Sequence, residues 1–136
     1  MRTLYTHCLS RVALTSAART NGAANGATID LGAFGNDFRS VLFVISTATI
    51  TDGTHAITLE ESVDGTTWTA VPASRRQGAL PSIGATDDDK VFEVGYRAGR
   101  RQYVRLVATT SAATTGGVFS AVAVLGVASS SPVARA

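Results

Sequence analysis

The sequence predicts an all-β protein: an antiparallel β-sandwich, with jelly-roll connections open to it, led by an extended N-terminal arm. Three observations predict this. Apolar residues alternate with period two over most of residues 28–128. Turn formers, Asp-Gly pairs among them, interrupt the alternation at short spacing. No stretch keeps the periodicity of a long helix. The 136 residues are enough for one domain with one core. The reading divides them into an arm (1–27), a sandwich (28–128) and a short C-terminal tail (129–136).

Residues 1–27 are small, polar and aperiodic, and end in "TNGAANGAT". They lack the apolar density to fold alone, so they read as an arm laid across a neighbour or left disordered, with Leu4, Tyr5 and Leu9 as its anchors. "ATIDLG" (27–32) places Ile29 and Leu31 on one side. "FRSVLFVISTATI" (38–50) carries a continuous apolar run, Val41 to Ile45, which reads as a central strand buried on both faces. "THAITLEES" (54–62) alternates, with Ile57 and Leu59 inward. "TTWTAVPA" (66–73) sets Trp68 and Ala70 on one side and stops at Pro72. Asp52-Gly53 and Asp64-Gly65 lie between these segments. Asp-Gly suits the positive φ of hairpin turns, so residues 38–73 read as a three-stranded meander.

"SRRQGALPSIGATDDDK" (74–90) reads as a long loop with one short strand. "KVFEVGY" (90–96) and "RQYVRLVAT" (101–109) read as a hairpin around "RAGR", and "VFSAVAVLGVA" (118–128) as a last apolar strand.

Candidate chemistry is sparse. "SVDGTTW" (62–68) is close to the Asp-box of sialidases, but that motif keeps one residue between Asp and Gly, and propellers repeat it. The turn reading is preferred. Asp87–Asp89 are adjacent rather than spaced for convergent calcium ligation, and read as a solvated turn. Glu60 and Glu61 are strand neighbours pointing to opposite faces, so they cannot form a glycosidase pair. Glu61, near its strand end, awaits an arginine or water. His7 and His55 stand in no nucleophile elbow. Cys8 is the sole cysteine, so no internal disulfide and no metal site is expected. No cofactor and no catalytic residue is expected either.

Charged residues make up 16% of the chain, below the usual quarter or so, which suits a surface lying against other proteins. A net charge of +2 is too weak a bias for nucleic-acid binding. The first residues do not read as a secretory signal, and no apolar run is long enough to span a membrane. All basic residues but Lys90 are arginine, either an interface preference or a coding bias. Arg97, Arg100, Arg101 and Arg105 cluster on the "RAGR" turn, with Arg75 and Arg76 in the long loop. They read either as a patch for acidic groups on a protein partner or as plain surface; nucleic acid is the remote third option, since no aromatics interleave with them.

"TDGTHAITLEESVDGTTWTAVP", "VGYRAGRRQYVRL" and "TTGGVFSAVAVLG", with an opening like "MRTLYTHCLS", resemble small structural proteins of tailed bacteriophages and prophages. The resemblance covers most of the chain. It implies a non-enzymatic virion component, a capsid decoration (cement) protein made in the bacterial host cytoplasm and seated on the capsid exterior. The implied partners are the major capsid protein and further copies of this chain, as a dimer or trimer, with no nucleic acid and no membrane. The arm would then clamp neighbouring subunits; 27 extended residues reach about 90 Å. A tail, baseplate or fibre location is the alternative, and a carbohydrate-binding module with Trp68 as its platform a more distant one. The interface candidates are Leu4, Tyr5, Leu9, Arg75, Arg76, Arg97, Arg100 and Arg101.

Overall fold

The period-two segments fold as strands. A computed structural model describes residues 3–129 and 131–135. The strands are β1 (Leu9–Arg19), β2 (Gly22–Asn25), β3 (Ile29–Asp30), β4 (Ser40–Ile50), β5 (Thr54–Ser62), β6 (Thr69–Ala70), β7 (Arg76–Gln77), β8 (Ser82–Ile83), β9 (Val91–Arg97), β10 (Tyr103–Ser111) and β11 (Gly117–Gly126). One sheet runs β1-β11-β4-β9-β7. The other runs β2-β10-β5-β6, with β3 also on β10 and β8 also on β5. Every pairing is antiparallel. The expected antiparallel sandwich is therefore the fold. Most long strands are followed by a strand of the opposite sheet, so the chain wraps both sheets together in the manner of a jelly roll.

The core lies between the sheets. Val41, Phe43 and Ile45 of β4 face inward beside Phe119, Ala121, Ala123 and Leu125 of β11 and Val94 and Tyr96 of β9. Ile57 and Leu59 of β5 and Val104, Leu106 and Ala108 of β10 close it from the other side. Alternate residues of each strand supply these rows because successive side chains point to opposite faces.

The wrapping corrects two expected hairpins. β4 has both edges occupied, by β11 and β9, so β5 cannot pair with it and joins the other sheet. The meander over 38–73 is therefore broken at Asp52-Gly53, although Gly53 does take a positive φ of 89°. Likewise β9 and β10 lie in opposite sheets, so "RAGR" crosses the sandwich and closes no hairpin. Among the described residues only β5 and β6 pair as consecutive strands, around the Asp64-Gly65 loop, in which Asp64 Oδ1 accepts from the N–H groups of Thr66 and Thr67. The 74–90 segment holds two short strands, β7 and β8, rather than one.

The N-terminal arm is also corrected. Most of residues 9–25 are sheet, in β1 and β2. β1 pairs with β11 from Leu9↔Leu125 to Arg19↔Gly117, and β2 pairs with β10. Leu9, Ala13 and Leu14 are buried in the core. The period was illegible because two register shifts break it, between Val12 and Leu14 and between Leu14 and Ala17, and because the side chains are small. The tail is docked too. The N–H of Val133 donates to Thr6 O (2.9 Å), Asn36 bonds both ways to the backbone of Ala134, and Arg135 donates to the carbonyls of Tyr5 and Cys8.

Asp52 shows how the sheet-to-sheet turns are held. Its carboxylate accepts from the N–H groups of Thr114, Thr115 and Gly116, tying the β4–β5 turn to the β10–β11 loop. Those bonds, Gly116's foremost, hold its carboxyl below the usual carboxylate range. A folded-state value below the unfolded one gives stability that is complete above the unfolded value and lost as pH falls through the folded one. The melting temperature of the native protein is expected to fall more steeply below about pH 4 than that of Asp52→Asn, whose amide oxygen accepts without titrating. Circular dichroism melts from neutral to acid pH read this. Parallel curves would show that the clamp contributes nothing.

Candidate protein-contact surfaces

Two regions of the surface stand out, a basic end and an apolar sheet face. At the basic end, the β9–β10 crossover meets the loop leading into β4. The N–H of Ala98 donates to Arg39 O at 2.9 Å, and Ser40 lies in register with Arg97. Between them opens a cleft of about 580 Å³ whose lining includes Arg39, Arg100, Arg101 and Asp37.

Arg101 of the cleft lining also neighbours Glu61, whose side chain is 1% exposed. Glu61 is held by Arg75 through both carboxylate oxygens, by the Tyr96 hydroxyl at 2.9 Å, and by Arg101 at 3.7 Å. Arg75 reaches it from the 3-10 turn Ala73–Arg75, and Tyr96 from the facing sheet. Burial, with Glu61 alongside, pushes the Tyr96 phenol well above its ordinary range. The cluster bolts the two sheets together.

The expected site residues therefore separate. Arg75 is engaged by Glu61, with Arg101 beside the same carboxylate. Arg76 is half-buried in β7, in register with Tyr96. Arg97 and Arg100 are exposed and in no ion pair among the described residues. Arg39 joins them and was not anticipated. Its neighbour across the strand pair lies far off in sequence, so no local pattern announces it. Arg105 leaves the group: it pairs with Glu60 at 2.7 Å and lies 4.3 Å over the Trp68 ring. Trp68 is thus half-buried beneath a guanidinium, held across strands rather than in the core, and one face of its indole is taken.

Of the three expected arm anchors, Leu9 is core. Leu4 and Tyr5 sit on the helical turn α1 (Leu4–His7), capped by Thr3, and are 82% and 71% exposed. Arg135 stacks on the Tyr5 ring at 3.8 Å, which fixes the turn beside the sheet. Next to it lie the outward positions of β1, β11 and β4. Here Val41–Ile45 departs from expectation. Val41, Phe43 and Ile45 are buried, but Leu42 is 38% exposed and Val44 only half-buried. A continuous apolar run in an antiparallel sandwich thus marks a strand whose outer face is apolar as well.

The remaining polar candidates serve the scaffold. His55 is buried; Nε2 donates to the Asp52 carbonyl, which can only accept, and Nδ1 pairs with the Thr110 hydroxyl at 2.7 Å. Asp87 accepts from Gly84 N and from Lys90, while Asp88 accepts from Ile50 N, so these carboxylates diverge. Among the described residues no group of three or more His, Cys, Asp or Glu is placed to hold a metal, and no helix is long and apolar enough to cross a membrane. No protein-family model matches this chain, and no curated protein matches it.

Proposed function

We propose that this chain is a non-enzymatic structural protein of a bacteriophage virion, binding the major capsid protein lattice from outside and stabilising the head. The observation that carries the reading is the division of its surface: the buried Glu61 bolts the scaffold, while arginines in no ion pair among the described residues and an apolar sheet face point outward. Such a body can touch more than one neighbour, and linked weak contacts add through effective concentration. The resemblance to small structural proteins of tailed phages supports the same reading. The clamping arm is not part of it, because residues 9–25 are held in the sheets.

Arg97 and Arg100, with Arg39, form the contact for acidic groups on the capsid subunit. Heads prepared without the protein and then mixed with purified chain are expected to bind it. The double reversal Arg97→Glu, Arg100→Glu is expected to weaken that binding roughly ten-fold or more, most strongly at low salt, with the melting temperature unchanged. Gradient co-sedimentation reads it. Equal binding by the reversed variant would remove the basic end from the account, and no binding by the native chain would remove the head.

A further inference from the structure

The outer face of the five-stranded sheet is uncharged and largely apolar over three adjacent strands, bounded on the β9 side by the exposed Glu93 in register with Val44. Val12 of β1, Val122 of β11 and Val44 of β4 stand in one row, each paired directly with the next. Ser10, Val124 and Leu42 form the adjoining row. Val12 is 57% and Val122 40% exposed. The outward positions of β4 and β11 carry no formal charge from end to end. The opposite face of the sandwich differs, since it carries the Glu60–Arg105 pair over Trp68.

This floor is walled at one end. The turn α1 rises there, and between its Leu4 and Tyr5, with Arg135 stacked beside them, and the floor at Ser10 and Val124 lies a recess of about 480 Å³. Knob and recess thus sit side by side on one surface.

We propose that this face is the contact between two copies of the chain, related by a two-fold axis lying in the contact plane, along the strands and over Val122. A two-fold interface needs a surface complementary to itself. An uncharged floor meets its own copy without like-charge repulsion, and each copy's Leu4 and Tyr5 stand against the other's Val124 and Leu42. Size agrees. Three strands of about ten residues, at about 3.3 Å per residue and about 4.8 Å between strands, cover roughly 500 Å² in plan. The raised turn and the relief of the side chains bring this toward the roughly 800 Å² per partner of a stable interface. A hydrophobic centre free of charge is also what homodimer interfaces show. The proposal deepens the virion reading by naming a self-contact. It is tested on the purified chain with no particle present, so its failure leaves the location untouched.

Sedimentation velocity over a micromolar concentration series is expected to show the native chain as a dimer. Val122→Glu places two carboxylates together on the axis and is expected to weaken association about 100-fold or more, while circular dichroism shows the same fold. Independently of that variant's folding, Val122→Cys in a Cys8→Ser background is expected to form an intermolecular disulfide under mild oxidation. A native chain that stays monomeric throughout the series assigns the face to another partner and overturns the proposal. So does a three-fold mass, a dimer indifferent to Val122→Glu, or a dimer that Val122→Cys fails to cross-link.

Discussion

Replacing Glu61 with alanine is expected to lower stability by about 3–5 kcal/mol, and the melting temperature by roughly 10–20 °C. Glu61 lies in β5, on the second sheet, yet its partners come from elsewhere: Tyr96 from the first sheet, Arg75 from the turn before β7, Arg101 from the crossover. Removing the carboxylate leaves the Tyr96 hydroxyl buried with no acceptor and the Arg75 guanidinium, whose side chain is 31% exposed, without its anion. The cost is that of stranding partners, which exceeds what the pair adds when intact. The argument has a second half. A buried ionic cluster replaced whole by apolar residues of similar volume costs little. The triple variant Glu61→Leu, Arg75→Met, Tyr96→Phe is therefore expected to regain most of the loss. Chemical denaturation of the single and triple variants decides it. A Glu61→Ala protein within about 1 kcal/mol of native would show that the cluster is not the bolt between the sheets.

Gly26→Ala is expected to be nearly as damaging, about 3 kcal/mol, for a steric reason. A Cβ at this position would lie 2.3 Å from the carbonyl oxygen of Ala13 and 2.5 Å from that of Leu106. These atoms belong to β1 and β10, in opposite sheets, so neither can retreat without opening the sandwich. The same short segment is bonded to both: Gly26 N donates to Leu106 O at 2.7 Å and Ala27 N to Ala13 O at 2.9 Å. Gly84 is the control. A Cβ there meets nothing within 4 Å, so Gly84→Ala is expected to shift stability by no more than about 0.5 kcal/mol. Equal melting temperatures for the two variants would mean that Gly26 is not held tightly between β1 and β10.

The segment around Gly26 also shows what sequence reasoning could reach. Period-two alternation located β4, β5, β9, β10 and β11 well, because each lays one row of large apolar side chains on the core. β1 escaped because its inward residues are Leu9, Ala13 and Leu14, which no single period connects across a bulge. The Asp-Gly turns were legible as turns. Which sheet received the next strand was not, since that depends on whether the preceding strand's edges are already filled by β11 and β9 from the far end of the chain. The same limit applies to function. Leu4, Tyr5, Arg97 and Arg100 were recognised as surface candidates and remain exposed. Arg39 and the Val12–Val122–Val44 row are assembled by pairings between distant segments, so neither is visible as a local motif. The unbroken run Val41–Ile45 carries a local signal of the outer face. Its even positions, Leu42 and Val44, mark an apolar outer face rather than burial on both faces.

Virion location is the claim on which the functional reading depends, and the stoichiometry of purified particles tests it most directly. Gradient-purified virions, quantified peptide by peptide against the major capsid protein, are expected to contain this chain in a fixed ratio to the shell subunits. That ratio should persist in heads separated from tails. A small copy number that follows the tail fraction, or absence from the particle, would contradict the account.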